Sequence, residues 1–162
     1  MKLFTVGDAK TIKGNSLGYK TLISYMLPDK EICKYASKGC MSSCLVNAGR
    51  GKFKNVKNAR LERKKMYKDS ESLYIAGLIH EINVAKRKAL KDGTKICVRL
   101  NGTSDIEWHT KDVDRFGNTI FDLFPDVQFY DYTKNYTIDM NLIPENYHLT
   151  FSRNEENADK VD

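Results

Sequence analysis

Three prolines, three histidines and one tryptophan are all that this 162-residue chain holds of those types. No apolar run approaches the ~20 residues of a membrane-spanning helix. Met1-Lys2-Leu3-Phe4 is followed so soon by Gly7, Asp8 and Lys10 that no secretory h-region forms. No P-loop, GxGxxG, HExxH or GxSxG string occurs, so the phosphate-cradling, dinucleotide, zinc-protease and esterase signatures have no carrier. No His-hydrophobe-His pair supports a metal-dependent strand-nicking enzyme. No fixed-period repeat or low-complexity tract is visible. These absences set aside membrane, collagen-like and coiled-coil classes and lead to the expectation of a cytoplasmic protein with no membrane partner.

What is present is ordinary globular composition, 41% hydrophobic and 30% charged, enough for a single domain with a real core. The net charge of +6 conceals a split. Residues 1–100 carry 22 basic and 8 acidic side chains, whereas residues 101–162 carry 5 basic and 13 acidic ones. The basic part can steer toward a polyanion.

Along the chain, residues 1–20 read as a loose arm or short strands around Gly7, Gly14 and Gly18. Residues 21–27 form a β-suited run stopped by Pro28. Residues 29–52 form a long loop with three cysteines and a turn of helix near Met41 to Val46. A loop this long usually has a function or a cross-link. Two helices follow, over 55–67 and 70–91. In the second, Ile75, Leu78, Ile79, Ile82, Ala85 and Ala89 recur at helical spacing, Ser70 caps the start and Asp92-Gly93 ends it. Strands are expected at 95–100, 127–132 and 147–151, with a helix over 111–123 between the first two. The tail 155–162 is charged and expected to fray.

This order predicts an α/β domain over residues 1–154 with a parallel sheet. Each strand hands over to polar residues at its C-terminal end, the edge where ligands bind in parallel α/β sheets and barrels. Too few strands are present to close an eight-stranded barrel; they suit an open half-barrel, part of a TIM-like architecture.

Cys33, Cys40 and Cys44 are spaced Cys-x6-Cys-x3-Cys. In a cytosolic setting such thiols suit zinc or an iron–sulfur cluster better than disulfides. Zinc asks for a fourth ligand, with Cys97 or His80 as candidates; three cysteines alone suit a cluster with one open iron. Reduced, partly buried thiols are the plain alternative. Cys97, between Ile96 and Val98, reads as a small core residue. After the second strand, Asn101 begins a polar turn in which Gly102, Thr103 and Ser104 can bind a ligand through backbone amides and Asp105 can act as acid, base or ligand. An Asx or Ser/Thr turn is the plain reading of the same residues. Lys134 and Arg153 stand at the ends of the next two strands, where Lys134 can neutralise an anion or pair with Asp105. Arg60, Arg63 and Lys64 belong to a basic stretch over 50–68 containing Phe53 and Tyr67, which reads as a phosphate-tracking surface or as a solvated helix face.

Cys33 through Gly51, the string Val98-Arg99-Leu100-Asn101-Gly102-Thr103-Ser104-Asp105, the string Phe129-Tyr130-Asp131-Tyr132-Thr133-Lys134 and Thr150-Phe151-Ser152-Arg153 together resemble a bacteriophage family of uncharacterised proteins. The resemblance covers roughly residues 20–154. The wider group looks similar to radical-SAM-like half-barrels, in which a loop after the first strand holds three cysteines on an iron–sulfur cluster. This chain departs from their usual Cys-x3-Cys-x2-Cys spacing. The resemblance implies a cluster on Cys33, Cys40 and Cys44, with S-adenosylmethionine as a further cofactor. Asn101, Asp105, Lys134 and Arg153 would line the adjacent mouth. The leading expectation is redox or radical chemistry on a nucleotide or nucleic acid, in a host cytoplasm if phage-encoded. Two other readings stay open: a nucleic-acid-binding replication accessory protein with a structural zinc loop, and a host-directed inhibitor without catalysis.

Overall fold

Alternating apolar residues and capped helical stripes assemble into one mixed α/β domain. Its computed structural model describes residues 1–6 and 11–160. Gly7 of the N-terminal arm and the last two residues of the tail lie outside the described residues. In chain order the elements are β1 (Phe4–Val6), β2 (Tyr19–Ser24), α1 (Lys38–Ser42), α2 (Lys54–Asp69), α3 (Glu71–Lys91), β3 (Lys95–Arg99), α4 (Ile120–Leu123), β4 (Gln128–Thr133) and β5 (Tyr147–Phe151). The five strands form one sheet in sequential order. β1 runs antiparallel to β2, and every other neighbouring pair is parallel. Among the described residues no helix is long and apolar enough to cross a membrane.

Period-2 alternation sorts the strands into two faces. Leu22 pairs with Val98 and Val98 with Phe129, and all three are buried. They meet Tyr74, Leu78 and Ile82 of α3 in the core. The Ser70 hydroxyl accepts from the Leu73 amide at the start of α3, and Gly93, at φ 63°, follows its end. The opposite face carries Cys97, Arg99, Tyr130 and Tyr132. Cys97 therefore lies half-buried on the open side and not in the core, because it alternates with Ile96 and Val98.

Two further expectations change. The helix over 111–123 shrinks to Ile120–Leu123. The Asp114 carboxylate instead accepts from the Phe116 and Asn118 amides, and the Val113 amide donates to Asn118 O at 2.7 Å. This local side-chain turn competes successfully with helix formation. The tail, expected to fray, is tied to the domain at Glu155 and Asn157. Asn157 is buried and donates to Lys134 O at 3.2 Å, and Glu155 accepts from the Gly39 amide at 2.7 Å.

Candidate functional site

The C-terminal ends of β2 to β5 converge, as their polar handovers predict, on a cavity of about 280 Å³. Its walls include Cys33, Cys40 and Cys44 on one side and Arg99, Asn101 to Asp105, Tyr132, Lys134 and Ser152 on the other. The loop after β2 is stitched to the turn after β3. The Asp105 amide donates to Ile32 O at 2.7 Å, and Thr103 Oγ1 donates to Met26 O at 2.5 Å. Cys33 Sγ lies 3.7 Å from Thr103 O.

All four cysteines are free thiols. Cys33 is buried, and that burial pushes its thiol up to about 12, with the Asp105 carboxylate acting in the same sense. Burial also raises Cys40, against the pull of the Lys134 ammonium. Both side chains are thus neutral thiols at neutral pH until something displaces the proton. Cys40 sits on the short α1, whose start is held twice. Ser37 Oγ accepts from the Cys40 amide, and Glu155 reaches from the tail to the Gly39 amide. Among the described residues, no three His, Cys, Asp or Glu side chains stand together closely enough to hold a metal ion. Neither fourth-ligand candidate lines the cavity: Cys97 is on the open face of β3, and His80 is exposed on α3.

The turn after β3 is rigid. Asn101 Oδ1 accepts from Ser104 Oγ, the Ile106 amide and Trp108 Nε1, and its Nδ2 donates to Ile106 O. Asn101 therefore organises the turn with its whole amide, while Asp105 and Lys134 present groups toward the cavity. Asp105 Oδ2 accepts from the Lys134 amide at 2.9 Å, and burial raises its carboxyl above the ordinary value. The pairing expected between Asp105 and Lys134 is thus made by the backbone. The Lys134 ammonium donates to Ser152 Oγ at 2.9 Å and to the Ser152 and Arg153 carbonyls. Arg153 itself is exposed and is not part of the cavity wall.

At Gly102 the backbones at the ends of β2 and β3 approach closely. A Cβ there would lie 2.6 Å from Ser24 O and from Tyr25 Cδ1, and 2.7 Å from Ile23 Cγ2. A backbone oxygen cannot swing aside. Gly102→Ala is expected to destabilise the protein by about 1–3 kcal/mol. The check is a lower urea midpoint at unchanged m-value; an unaltered midpoint would show that the strand ends give way freely.

The basic stretch turns inward where phosphate contact is expected. Arg60 and Arg63 are buried, at 8% and 9% exposure. Arg63 donates to Lys2 O and Tyr25 O, Arg60 lies over the Tyr25 ring, and Lys64 bonds Asp29 at 3.0 Å. Arg63 and Lys64 clip α2 to the chain that precedes it, and Arg60 is held against Tyr25, so the three do not form one continuous exposed track. The residues that the sequence reading does not place at the site are Arg99, Tyr132 and Glu155; it places Ser152 there only as a polar strand-end residue. For Arg99 and Tyr132 the signal is the alternation that puts them on the open face.

A family profile described as Gene product 88 matches residues 2–162. It agrees with the phage-type family that the strand motifs resemble and carries nothing about radical-SAM similarity. No curated protein and no solved structure matches the chain. With its cysteine loop, its Arg-Leu-Asn-Gly turn and its Phe-Tyr-Asp-Tyr-Thr-Lys strand all inside the matched range, the chain belongs to the Gene product 88 family.

Proposed function

We propose that this protein is an open half-barrel that holds an iron–sulfur cluster on Cys33, Cys40 and Cys44 and performs redox chemistry on a nucleotide-type substrate at the adjacent mouth. The observation that carries the reading is convergence. Three thiols from the loop after β2 share one cavity with Asp105 and Lys134 from the ends of β3 and β4. Sequential parallel order from β2 to β5 is the order of a barrel segment, and ligands sit at this edge in such folds. The donor set suits the group. Thiolates are the usual cluster ligands, three of them leave one iron open, and the Lys134 ammonium offsets negative charge nearby. A cluster also spreads its ligands around a larger body than a single ion does. It therefore asks less convergence of the thiols than a four-ligand zinc site.

When bound, such a cluster supplies electrons, and with S-adenosylmethionine it supplies radical chemistry. The chain's own residues have other tasks. Asp105, with its raised carboxyl held by the Lys134 amide and the Thr133 side chain, can hold or release a proton at the mouth. The Asn101 to Ser104 turn gives the mouth a fixed wall.

The test is anaerobic purification with iron, sulfide and zinc analysis. A brown protein with broad visible absorption is expected, and its iron should fall strongly in Cys33→Ser, Cys40→Ser and Cys44→Ser but not in Cys97→Ser. Roughly one zinc per chain without colour would replace the cluster by a structural ion. Four titratable thiols with no metal would remove both.

A further inference from the structure

A second cavity, of about 420 Å³, lies on the open face of the sheet. Leu45, Arg99 and Tyr132 line both it and the cysteine cavity. Its volume falls in the ~300–1,000 Å³ range of small-molecule sites. Its wall has two distinctive components. Arg50, Arg60 and Arg99 supply three guanidinium groups, and Tyr25, Tyr130 and Tyr132 supply three phenol rings. Among the described residues, no carboxylate belongs to the wall.

The arginines are held in different ways. Arg60 lies with its guanidinium carbon 4.8 Å from the Tyr25 ring centroid, and Arg99 with its own 4.9 Å from that of Tyr132. Arg99 Nε is buried and makes no hydrogen bond; its nearest carboxylate oxygen, on Asp131, is 3.6 Å away. Arg50 is exposed at the rim, in the 3-10 turn Gly49–Lys52. That turn packs closely against the end of the cysteine loop. A Cβ on Gly51 would lie 2.3 Å from Leu45 O, so the backbone there is already at closest approach. Tyr132 keeps 47% of its surface exposed although Arg99 covers part of its ring.

We propose that this cavity binds a nucleotide, its phosphate on Arg99 and Arg50 and its base stacked on Tyr132. Planar guanidinium groups match phosphate oxygens in pairs, and a phenol face stacks any base without reading its edge. Three guanidinium groups in one wall favour an anion over a neutral or cationic ligand. The shared residues put the occupant's far end at the cysteine cavity. The proposal deepens the function above by naming where the substrate's phosphate and base go. Its test reads binding alone on metal-free protein, so the two readings fail separately. The same chemistry can come from a free mononucleotide or from one unit of a single strand.

The experiment is calorimetric titration of the full chain with adenosine monophosphate, adenosine, inorganic phosphate, polyglutamate and an eight-nucleotide single strand. Saturable binding of the monophosphate or of the strand is expected, with adenosine and phosphate each weaker by about tenfold or more. Arg50→Ala and Tyr132→Ala change exposed side chains, and each is expected to weaken binding by about fivefold or more. Arg99→Lys keeps the charge, loses the planar fork, and is expected to do the same. A monophosphate that binds as well as the strand identifies a free nucleotide. A strand that binds far more tightly, with steep salt dependence, identifies a nucleic acid; either source upholds the chemistry. No saturable binding by either overturns the proposal. So does polyglutamate binding as tightly as the nucleotides, or nucleotide affinity unchanged in both Arg50→Ala and Tyr132→Ala.

Discussion

Asp131→Ala is expected to lower stability by at least about 3 kcal/mol, the cost of leaving several buried donors unmet at once. Asp131 is 1% exposed. Its Oδ1 accepts from the Asn101 amide at 2.9 Å, and its Oδ2 accepts from the Leu100 amide at 3.3 Å and from Tyr147 Oη at 3.4 Å. The Arg99 guanidinium is beside it, Nε to Oδ1 3.6 Å. Truncation leaves two backbone amides, a phenol and a guanidinium facing a void, where each unmet donor is costly. The same carboxylate ties β4 to the residues that begin the turn after β3, so its loss also loosens the wall of the cysteine cavity.

A pH dependence comes with it. Burial pushes the Asp131 carboxyl up from 3.8 to about 7, against the backbone amides and Arg99, which favour the charged form. With the folded value above the unfolded one, the folded state keeps a proton that the unfolded chain has released. The unfolded chain binds fewer protons over that window, so this group makes stability fall as pH rises from about 4 to about 7 and adds no slope above. Urea midpoints at about pH 5 and about pH 8 are expected to differ more in the wild type than in Asp131→Asn, which cannot titrate. An Asp131→Ala protein with a wild-type midpoint, or equal slopes in wild type and Asp131→Asn, would refute this account.

Asn101→Ala is expected to lower stability by at least about 3 kcal/mol, because it strands several buried groups at once. Ser104 Oγ, the Ile106 amide and Trp108 Nε1 all donate to its Oδ1, and Ile106 O accepts from its Nδ2. Trp108 is the only tryptophan in the chain, so its emission reports the turn directly. A shift of that emission to longer wavelength under native conditions is expected together with the lower urea midpoint. A variant with unchanged emission and midpoint would mean that the turn holds its shape without the amide. Asn101→Asp tests the same point from the other side. It keeps the acceptor and loses the donor to Ile106 O, so it too is expected to be destabilised.

These two substitutions bear on how a loss of activity should be read. Asn101 and Asp131 touch the cavity through the scaffold that shapes it, so a variant of either changes ligand binding by moving the wall. Arg50 and Tyr132 are exposed, and Tyr132 also carries the Arg99 guanidinium over its ring, so Arg50 is the cleaner probe of ligand contact. Lys134 is intermediate. Its ammonium is taken up by Ser152 and by the carbonyls of Ser152 and Arg153, so it closes the end of β5 as well as facing the thiols.

Local chemistry made α3 and the parallel strands legible in the chain itself. Ile75, Leu78 and Ile82 repeat at the helical period, Ser70 and Gly93 mark the ends, and Phe129 and Asp131 alternate with Tyr130 and Tyr132. Each of these signals is complete within a few residues. The meeting of the cysteine loop with the Asn101–Asp105 turn and Lys134 was legible for a related reason. Parallel strands deliver whatever follows them to one edge.

What tertiary structure alone decided is where charge is compensated. Arg60, Arg63 and Lys64 look like a phosphate track until Tyr25, the Lys2 and Tyr25 carbonyls and Asp29, all more than 30 residues away, fold against them. The tail looks solvated until Glu155 finds the Gly39 amide, 116 residues distant. The Arg99 side chain becomes part of a cavity only because Tyr132 and the Gly49–Lys52 turn approach it from β4 and from the far end of the cysteine loop. A hydrophobic period is a property of neighbours along the chain. The partner of a buried charge is a property of the packed molecule, because the penalty for leaving it unpaired arises only once water is gone.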